Sequence, residues 1–324
     1  MKISVLEPIG IDKELQEEIT NCFNSKDIEI VFHPDRKEDV RSLVERTGDA
    51  DIIISSNIPL TREYIEQCSN LKYIAIAFTG FDHVDLDACK EKGIFVSNAA
   101  GFSDIAVAEL SVSLMLDVYR KITELHSATI SSGHRNGFLG RELYGKTVGI
   151  IGTGRIGSRT ALLCKAFGCK ILGWSRSQTT AAEVEGMQFV SKEELLENSD
   201  IISLHIPANS ETNCFIAEKE FELMKDNAIL INTARGKVVD NIALSRALKN
   251  GIIAGAGIDV YETEPPLNKD YTLLDAPNVV LAPHIAYATE ESMIRRARIV
   301  VDNIFSWLEK EPQNLVCDPV CMEI

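Results

Sequence analysis

Apolar and polar positions follow one repeated rhythm along the chain. Runs that are apolar almost throughout, such as KISVLEP from Lys2, IEIVFHP from Ile28, ADIIISS from Ala50, YIAIAFTG from Tyr73 and IFVSNAA from Ile94, alternate with stretches whose apolar residues recur every three or four positions, such as DKELQEEITNCF from Asp12 and TREYIEQC from Thr61. The same rhythm returns in the second half as KTVGIIG, KILGW, DIISLHI, NAILINTA, GIIAGAGID and NVVLAPH, with helical segments such as IALSRALKNG between them. Strands this uniformly apolar are buried on both faces, as happens when helices cover a parallel sheet. The pattern predicts an α/β protein with two doubly wound parallel-sheet domains. Two long helical segments, Ile105 to about His126 and Glu290 to about Lys310, are expected to join the halves. Because the second follows the last strand, the first domain is expected to be discontinuous, with residues 1–100 and 288–324 in one domain and residues 101–287 in the other. Ligands of such sheets bind beyond the carboxyl ends of the strands, which directs the search to a cleft between the two domains.

Composition narrows the partners. The chain has 324 residues and a formal charge of -15, with 45% apolar and 25% charged residues. The acidic excess argues against nucleic acid and against an anionic membrane surface, and no apolar run is long enough to cross a bilayer. The N-terminal MKISVLEPIG reads as a first strand and not as a signal-peptide core. The eight cysteines show no paired CxxC spacing. Cys317 and Cys321 come nearest to a pair, without further ligands close by, so no metal is expected. Reduced thiols in a cytoplasmic protein is the reading adopted.

The chemistry begins after KTVGII, where Gly152-Thr153-Gly154-Arg155-Ile156-Gly157 ends a strand and opens a helical run. A glycine turn in that context is the phosphate cradle of a Rossmann dinucleotide-binding domain. Gly152 serves the tight turn, Gly154 the close approach of a pyrophosphate, and Gly157 the packing of helix on strand; the helix amides hold the anion. A methyltransferase could share the turn. At the end of the next strand an acidic residue would bind the adenosine ribose and select NAD, yet Ser175-Arg176 stands there. A serine followed by a planar, permanently charged guanidinium suits a 2'-phosphate, and Arg155 is expected to add to the positive field. NADP(H) is therefore the preferred cofactor and NAD(H) the alternative; an ordinary solvated Arg176 is the plainer interpretation.

Three later strands each end in polar residues: Arg235 after NAILINTA, Asp259 and Glu264 after GIIAGAGI, and His284 in NVVLAPH. Of the six histidines, only His284 shares a strand-end position with an arginine and carboxylates. An arginine can bind the carboxylate of a 2-oxoacid and draw charge toward its carbonyl. A protonated imidazole can supply the proton as that carbonyl is reduced, and a carboxylate behind it can orient it.

With these motifs in hand, the chain resembles the D-isomer-specific 2-hydroxyacid dehydrogenases over nearly its whole length, on GKTVGIIGTGRIG, SLHIPANSETNCFI, INTARGKVVD, GIDVYETEPP and PHIAYAT in that order. The resemblance implies a Rossmann cofactor domain inserted in a flavodoxin-like substrate domain, hinge closure between the two, and an enzyme that reduces a 2-oxoacid to a D-2-hydroxyacid. It implies Arg235 as substrate binder, His284 as general acid/base and Glu264 as its partner, and it sets Asp259 at the nicotinamide carboxamide with Thr233 and Ala234 beside the ring. His205 and Pro207 match a stretch lining the adenosine side. Phe78, Thr79 and Gly80, in AFTGFDHVDL, match the loop whose amides hold the substrate carboxylate. Asn98 and Val107 match the hinge, with Val107 placed against the cofactor. Many members carry glycine where Phe78 stands, so its ring is expected to narrow the pocket. The family's usual homodimer is expected, through the linking-helix region and the segment from Ser127 to Tyr144. Alternatives are a nucleotide-sensing corepressor on the same scaffold, an NAD-dependent D-3-phosphoglycerate-type enzyme, and formate or phosphite oxidation; the scarcity of charged residues near Phe78 to Gly80 disfavours a phosphorylated substrate.

Overall fold

Thirteen strands and eleven helices are described in a computed structural model that covers residues 1–180 and 184–319. They fall into two units, Met1–Phe102 with the chain from Thr289 onward, and Ser103–Ala288. The first unit begins with β1 (Lys2–Val5), α1 (Lys13–Asn24), β2 (Glu29–Phe32), α2 (Val40–Thr47), β3 (Ile52–Ser55), α3 (Arg62–Gln67), β4 (Tyr73–Ile76), α4 (Leu86–Glu91) and β5 (Phe95–Asn98). The second contains α5 (Asp104–Arg120), α6 (Ile122–Ile130), β6 (Thr147–Ile151), α7 (Arg155–Ala166), β7 (Lys170–Trp174), β8 (Gln188–Phe189), α8 (Lys192–Asn198), β9 (Ile201–Leu204), α9 (Glu218–Leu223), β10 (Ile229–Asn232), α10 (Asn241–Lys249), β11 (Gly255–Ile258) and β12 (Val279–Leu281). The chain then returns to the first unit with α11 (Glu290–Leu308) and β13 (Leu315–Cys317).

The first sheet runs β13-β5-β4-β3-β1-β2, parallel except for β13, which lies antiparallel to β5. This is the flavodoxin-like order with one added edge strand. The second runs β12-β11-β10-β9-β6-β7-β8, parallel throughout, the Rossmann order with an extra strand. Consecutive residues of a strand face opposite sides, so the second sheet feeds two cores. Ile202 and Leu230 pack in one with Leu196 and Phe221, while Ile201, Ile229 and Ile231 pack in the other with Val118 and Cys164. Helix starts are marked locally. Asp12, Asp39, Thr61 and Asp85 each accept the amide three residues on, capping α1 to α4.

Two expectations about elements need correction. The long helix expected from Ile105 to about His126 breaks at Lys121, which takes a left-handed conformation with φ 50°. The Asp117 carboxylate accepts both the amide of Thr123, at 2.9 Å, and its hydroxyl, offering the backbone an alternative to the helix ladder. Packing differs on the two sides of the break: α5 buries nine residues against its neighbours, while α6 fully buries none. The strand expected over GIIAGAGID is limited to its last residues, because Gly251 has a positive φ of 67° and closes α10 before β11 begins. The edge strand β13 has no counterpart among the expected elements.

Gly157 illustrates how tightly the glycine turn is built. A Cβ there would lie 1.9 Å from the carbonyl oxygen of Gly152, a backbone atom that cannot swing aside. Gly157→Ala is expected to destabilise the fold by about 1–3 kcal/mol, read as a lower midpoint in urea unfolding with an unchanged slope.

Candidate active site

The glycine turn leaves β6 and enters α7. Gly152 has φ 95°, and a Cβ there would sit 2.5 Å from the His205 carbonyl, so the turn and the end of β9 touch through bare backbone. Gly154 differs. It is exposed, and a Cβ there would meet nothing within 4 Å among the described residues. The fold therefore does not need a glycine at that position; an approaching ligand would. Gly154 is also the N-cap of α7 and offers no side-chain cap, so the first-turn amides of Arg155, Ile156 and Gly157 have no capping partner. Such an end attracts an anion, which fits the pyrophosphate of a dinucleotide.

Around the cradle, Arg155 and Arg176 are not the solitary positive charges that the sequence suggests. Arg155 donates to Asp104 at 2.5 Å, and Arg176 donates to Glu211 at 2.8 Å in a pair whose members are 77% and 68% exposed. Ser175 is hydrogen-bonded to Thr153 at 2.9 Å, and Thr153 also bonds the Thr179 carbonyl, which ties the Ser175–Thr179 turn to the glycine loop. His205 bonds Ser203 at 2.9 Å, and burial pushes its pKa down to about 3, so its imidazole stays neutral. Pro207 is exposed with its carbonyl bound by Thr212, while Val107 is buried on α5.

The polar strand-end residues of this unit are drawn together by backbone contacts. Asn232, the last residue of β10, clamps the turn that follows: its Oδ1 accepts the Ala234 amide at 3.1 Å and its Nδ2 donates to the Arg235 carbonyl at 3.0 Å. Thr233 shares a hydrogen bond of 2.8 Å with Ser111, and Arg235 is half-buried with Nη1 on the Ala234 carbonyl at 2.7 Å. Beyond it, Gly236 lies so close to the next strand's exit that a Cβ would fall 1.9 Å from the Tyr261 carbonyl carbon. The Arg235 turn and the segment leading to Glu264 thus pack backbone against backbone. Tyr261 reaches on to the Ala282 carbonyl at 2.8 Å, which ties in the exit of β12.

His284 completes the group. Its Nδ1 lies 2.7 Å from Oε2 and 2.9 Å from Oε1 of Glu264, and it is the less exposed partner, 20% against 65%. The edge-on ring of Tyr287 stands 5.7 Å from the imidazole. His284 itself has φ 56°, a left-handed conformation unusual for a residue with a side chain. The two residues after it explain how this is held: the Ile285 amide donates to Asp259 Oδ1 at 2.8 Å and the Ala286 amide to Oδ2 at 2.9 Å. Asp259 is fully buried. Burial pushes its pKa up, and the two amides pull the other way.

Phe78, Thr79 and Gly80 belong to the first unit, just past the end of β4. There the Phe78 carbonyl accepts the Ala99 amide at 2.9 Å, Asn98 Nδ2 donates to the Thr79 carbonyl at 2.7 Å, and the Phe78 ring packs 5.8 Å from that of Phe102. Sequence reasoning passed over Asn232, Gly236 and Tyr261, although the first two bound the NTARG stretch that holds Arg235. Among the described residues no cluster of His, Cys, Asp or Glu is placed to hold a metal ion; Cys317 is buried and Cys321 lies outside the described residues.

Residues 112–286 match the model of the D-isomer specific 2-hydroxyacid dehydrogenase NAD-binding domain. The chain is 44% identical over 286 residues to the glyoxylate reductase of Thermococcus litoralis, covering 85% of this chain and 86% of that one. It is 33% identical to the hydroxypyruvate reductase of Blautia hydrogenotrophica over 98% of this chain and 99% of the relative. Among solved structures it is similar to an acyclic imino acid reductase in complex with NADPH and D-Arg, with a TM-score of 0.87, 34% identity and coverage of 98% and 100%. With a family model matching more than half its length and relatives this similar along both chains, the protein belongs to the D-isomer-specific 2-hydroxyacid dehydrogenase family.

Proposed function

We propose that the protein is an oxidoreductase that reduces a small 2-oxoacid, reversibly, to the D-2-hydroxyacid, with NADPH as its preferred cofactor. The observation that carries this reading is the imidazole of His284 held by both oxygens of Glu264, in the same unit and beyond the carboxyl ends of the same sheet as Arg235. Family membership and the chemistry of relatives named glyoxylate and hydroxypyruvate reductase support it.

The roles follow from the contacts. With Nδ1–H given to Glu264, His284 exchanges its reacting proton on Nε2. The glutamate fixes the ring, and the imidazole gives its Nε2 proton to the carbonyl oxygen. Arg235 binds the substrate carboxylate and polarises the carbonyl. Asn232 and Gly236 position the Arg235 turn, and Asp259 positions the His284 turn. A bound nicotinamide supplies hydride exchange with the substrate carbon. The cradle of Gly152, Gly154, Ile156 and Gly157 would hold its pyrophosphate, and Thr233, Ala234, Val107, His205 and Pro207 the remainder. Preference for NADPH is supported by Ser175 and Arg176, with no carboxylate at the end of β7. The Arg176–Glu211 pair does not oppose it, because an ion pair this exposed is worth only about 0–1 kcal/mol and yields readily to a phosphate.

The partner proposed is a second copy of the chain. Helix α6 and the segment after it expose Ile122, Ile130, Leu139 and Tyr144, at 56%, 72%, 80% and 76%, an apolar surface that suits an interface. Among the described residues seven cysteines are unpaired, five of them buried, which suits a reducing cytoplasm.

His284→Ala and Arg235→Ala are expected to keep cofactor binding, followed by fluorescence quenching, while kcat for glyoxylate falls by about 10²–10⁴; wild-type turnover in either would overturn its assigned role. Gly154→Ala is expected to keep the wild-type Tm and weaken NADPH binding at least about tenfold, since its Cβ would obstruct only the ligand. The ratio of kcat/KM for NADPH over NADH is expected to exceed one and to fall in Arg176→Ala. Light scattering on the eluting protein is expected to give twice the chain mass, reverting to one chain mass in Ile130→Asp/Leu139→Asp.

A further inference from the structure

Some ion pairs of the chain brace its fold. Glu7, 3% exposed, accepts the amides of Ser56 at 2.8 Å and Asn57 at 3.1 Å and the Arg36 guanidinium at 2.5 Å, which fixes the turn after β3. Arg176–Glu211 is of another kind. It is a single contact, Nη1 to Oε2 at 2.8 Å, between side chains that are 77% and 68% exposed. Among the described residues, Nε and Nη2 of Arg176 and Oε1 of Glu211 have no protein partner. A surface pair of this sort does little for stability, and its place is what matters.

The two residues stand on loops that flank the glycine turn. β6, from which that turn emerges, pairs with β7 on one side and with β9 on the other. Arg176 follows β7, in a turn bound to the glycine loop through Ser175 and Thr153 at 2.9 Å. Glu211 follows β9, in a turn closed on itself. Asn209 Oδ1 accepts the Glu211 amide at 2.9 Å and the Thr212 amide at 3.1 Å, and the Thr212 hydroxyl donates to the Pro207 carbonyl at 2.6 Å. Local hydrogen bonds thus hold both backbones, while the side chains meet across the exit of β6. Guanidinium and carboxylate reach one point from opposite sides, beside the place proposed for the adenosine half of the cofactor.

We infer that Glu211 is the ribose-binding carboxylate that the end of β7 lacks, so that the Arg176–Glu211 pair reads both dinucleotides: Glu211 accepts the adenosine ribose hydroxyls of NADH, and Arg176 holds the 2'-phosphate of NADPH. The inference rests on the dinucleotide part of the reading given above. A carboxylate accepts two hydroxyl donors at once, which is the task of the acidic residue that usually ends this strand. A guanidinium has no acceptor to offer those protons but presents a fork of donors to a phosphate, which the carboxylate repels. Either cofactor parts the pair and takes one member, leaving the other to water. Glu211 therefore limits the preference for NADPH that Arg176 creates.

The test is the Kd for NADH and for NADPH, followed by fluorescence quenching, in the wild-type protein, Glu211→Ala and Arg176→Ala. Glu211→Ala is expected to weaken NADH about tenfold, as loss of a charged hydrogen-bond acceptor predicts, and to tighten NADPH. Arg176→Ala is expected to weaken NADPH at least about tenfold and to leave NADH no weaker than in the wild type. Opposite signs are the signature, because a pair that merely braced two loops would shift both cofactors alike when either member is removed. If NADH is unmoved in Glu211→Ala, or weakens no more than NADPH does, or if the wild type binds NADPH alone, the inference is overturned and the dinucleotide reading stands. A wild-type protein that binds neither cofactor overturns both. Should Glu211→Ala not fold, Glu211→Gln takes its place with the same expected signs.

Discussion

Both oxygens of Asp259 are committed to backbone amides, those of Ile285 and Ala286, and the residue just before them is a histidine in left-handed backbone. A non-glycine residue in that conformation costs about 1–3 kcal/mol and persists only where its surroundings over-determine it. The two amide hydrogen bonds to Asp259 hold the backbone just after that conformation. The direction of the His284 ring follows from this arrangement. With the backbone fixed there, the side chain reaches Glu264, and the same buried aspartate is joined through its own amide to Asn232, which shapes the Arg235 turn. Three strand ends are coupled by one buried carboxylate, and the proposed acid, its partner and the proposed substrate binder depend on it.

What could be read from the sequence was local, or repeated. The strand-and-helix rhythm gave two parallel sheets because uniformly apolar runs leave a strand no solvent face, as Ile229–Asn232 and Ile201–Leu204 demonstrate by being buried at every position. The glycine turn was legible because its meaning lies in adjacent elements. Contacts between distant residues were not. Arg155 and Arg176 read as free charges since Asp104 and Glu211 stand far from them in the sequence. The break at Lys121 escaped notice because apolar spacing continues into α6, and only the left-handed backbone at Lys121 and the Asp117 bonds to Thr123 reveal that α6 is a separate helix. Glu7 looked like an ordinary end to an apolar strand; its significance comes from amides contributed by the turn after β3.

The glycines show the same division. Gly157 and Gly236 are required by the fold, each pressed against another stretch of backbone, whereas Gly154 faces open space. A sequence motif gives all of its glycines equal standing, and the structure separates those that serve packing from the one that serves a ligand. A similar distinction applies to the ion pairs. Glu7–Arg36 is shielded and anchored by surrounding amides, so it organises a turn, while Arg176–Glu211 lies in water and contributes little to stability.

The antiparallel edge strand β13 has a consequence for how the chain assembles. Leu315 pairs with Ser97, and Asn303 of α11 holds the Asn98 carbonyl at 2.9 Å, so the border of the first sheet is finished by residues made long after the rest of it. During synthesis, the whole of Ser103–Ala288 emerges before that border can be sealed. Since domains tend to fold as units in the order they leave the ribosome, the inserted unit can mature while β5 still carries an open, pairing-competent margin. Nascent chains of this architecture would therefore pass through an interval of vulnerability to edge-to-edge association, and slowing translation between Ala288 and Leu315 would lengthen it.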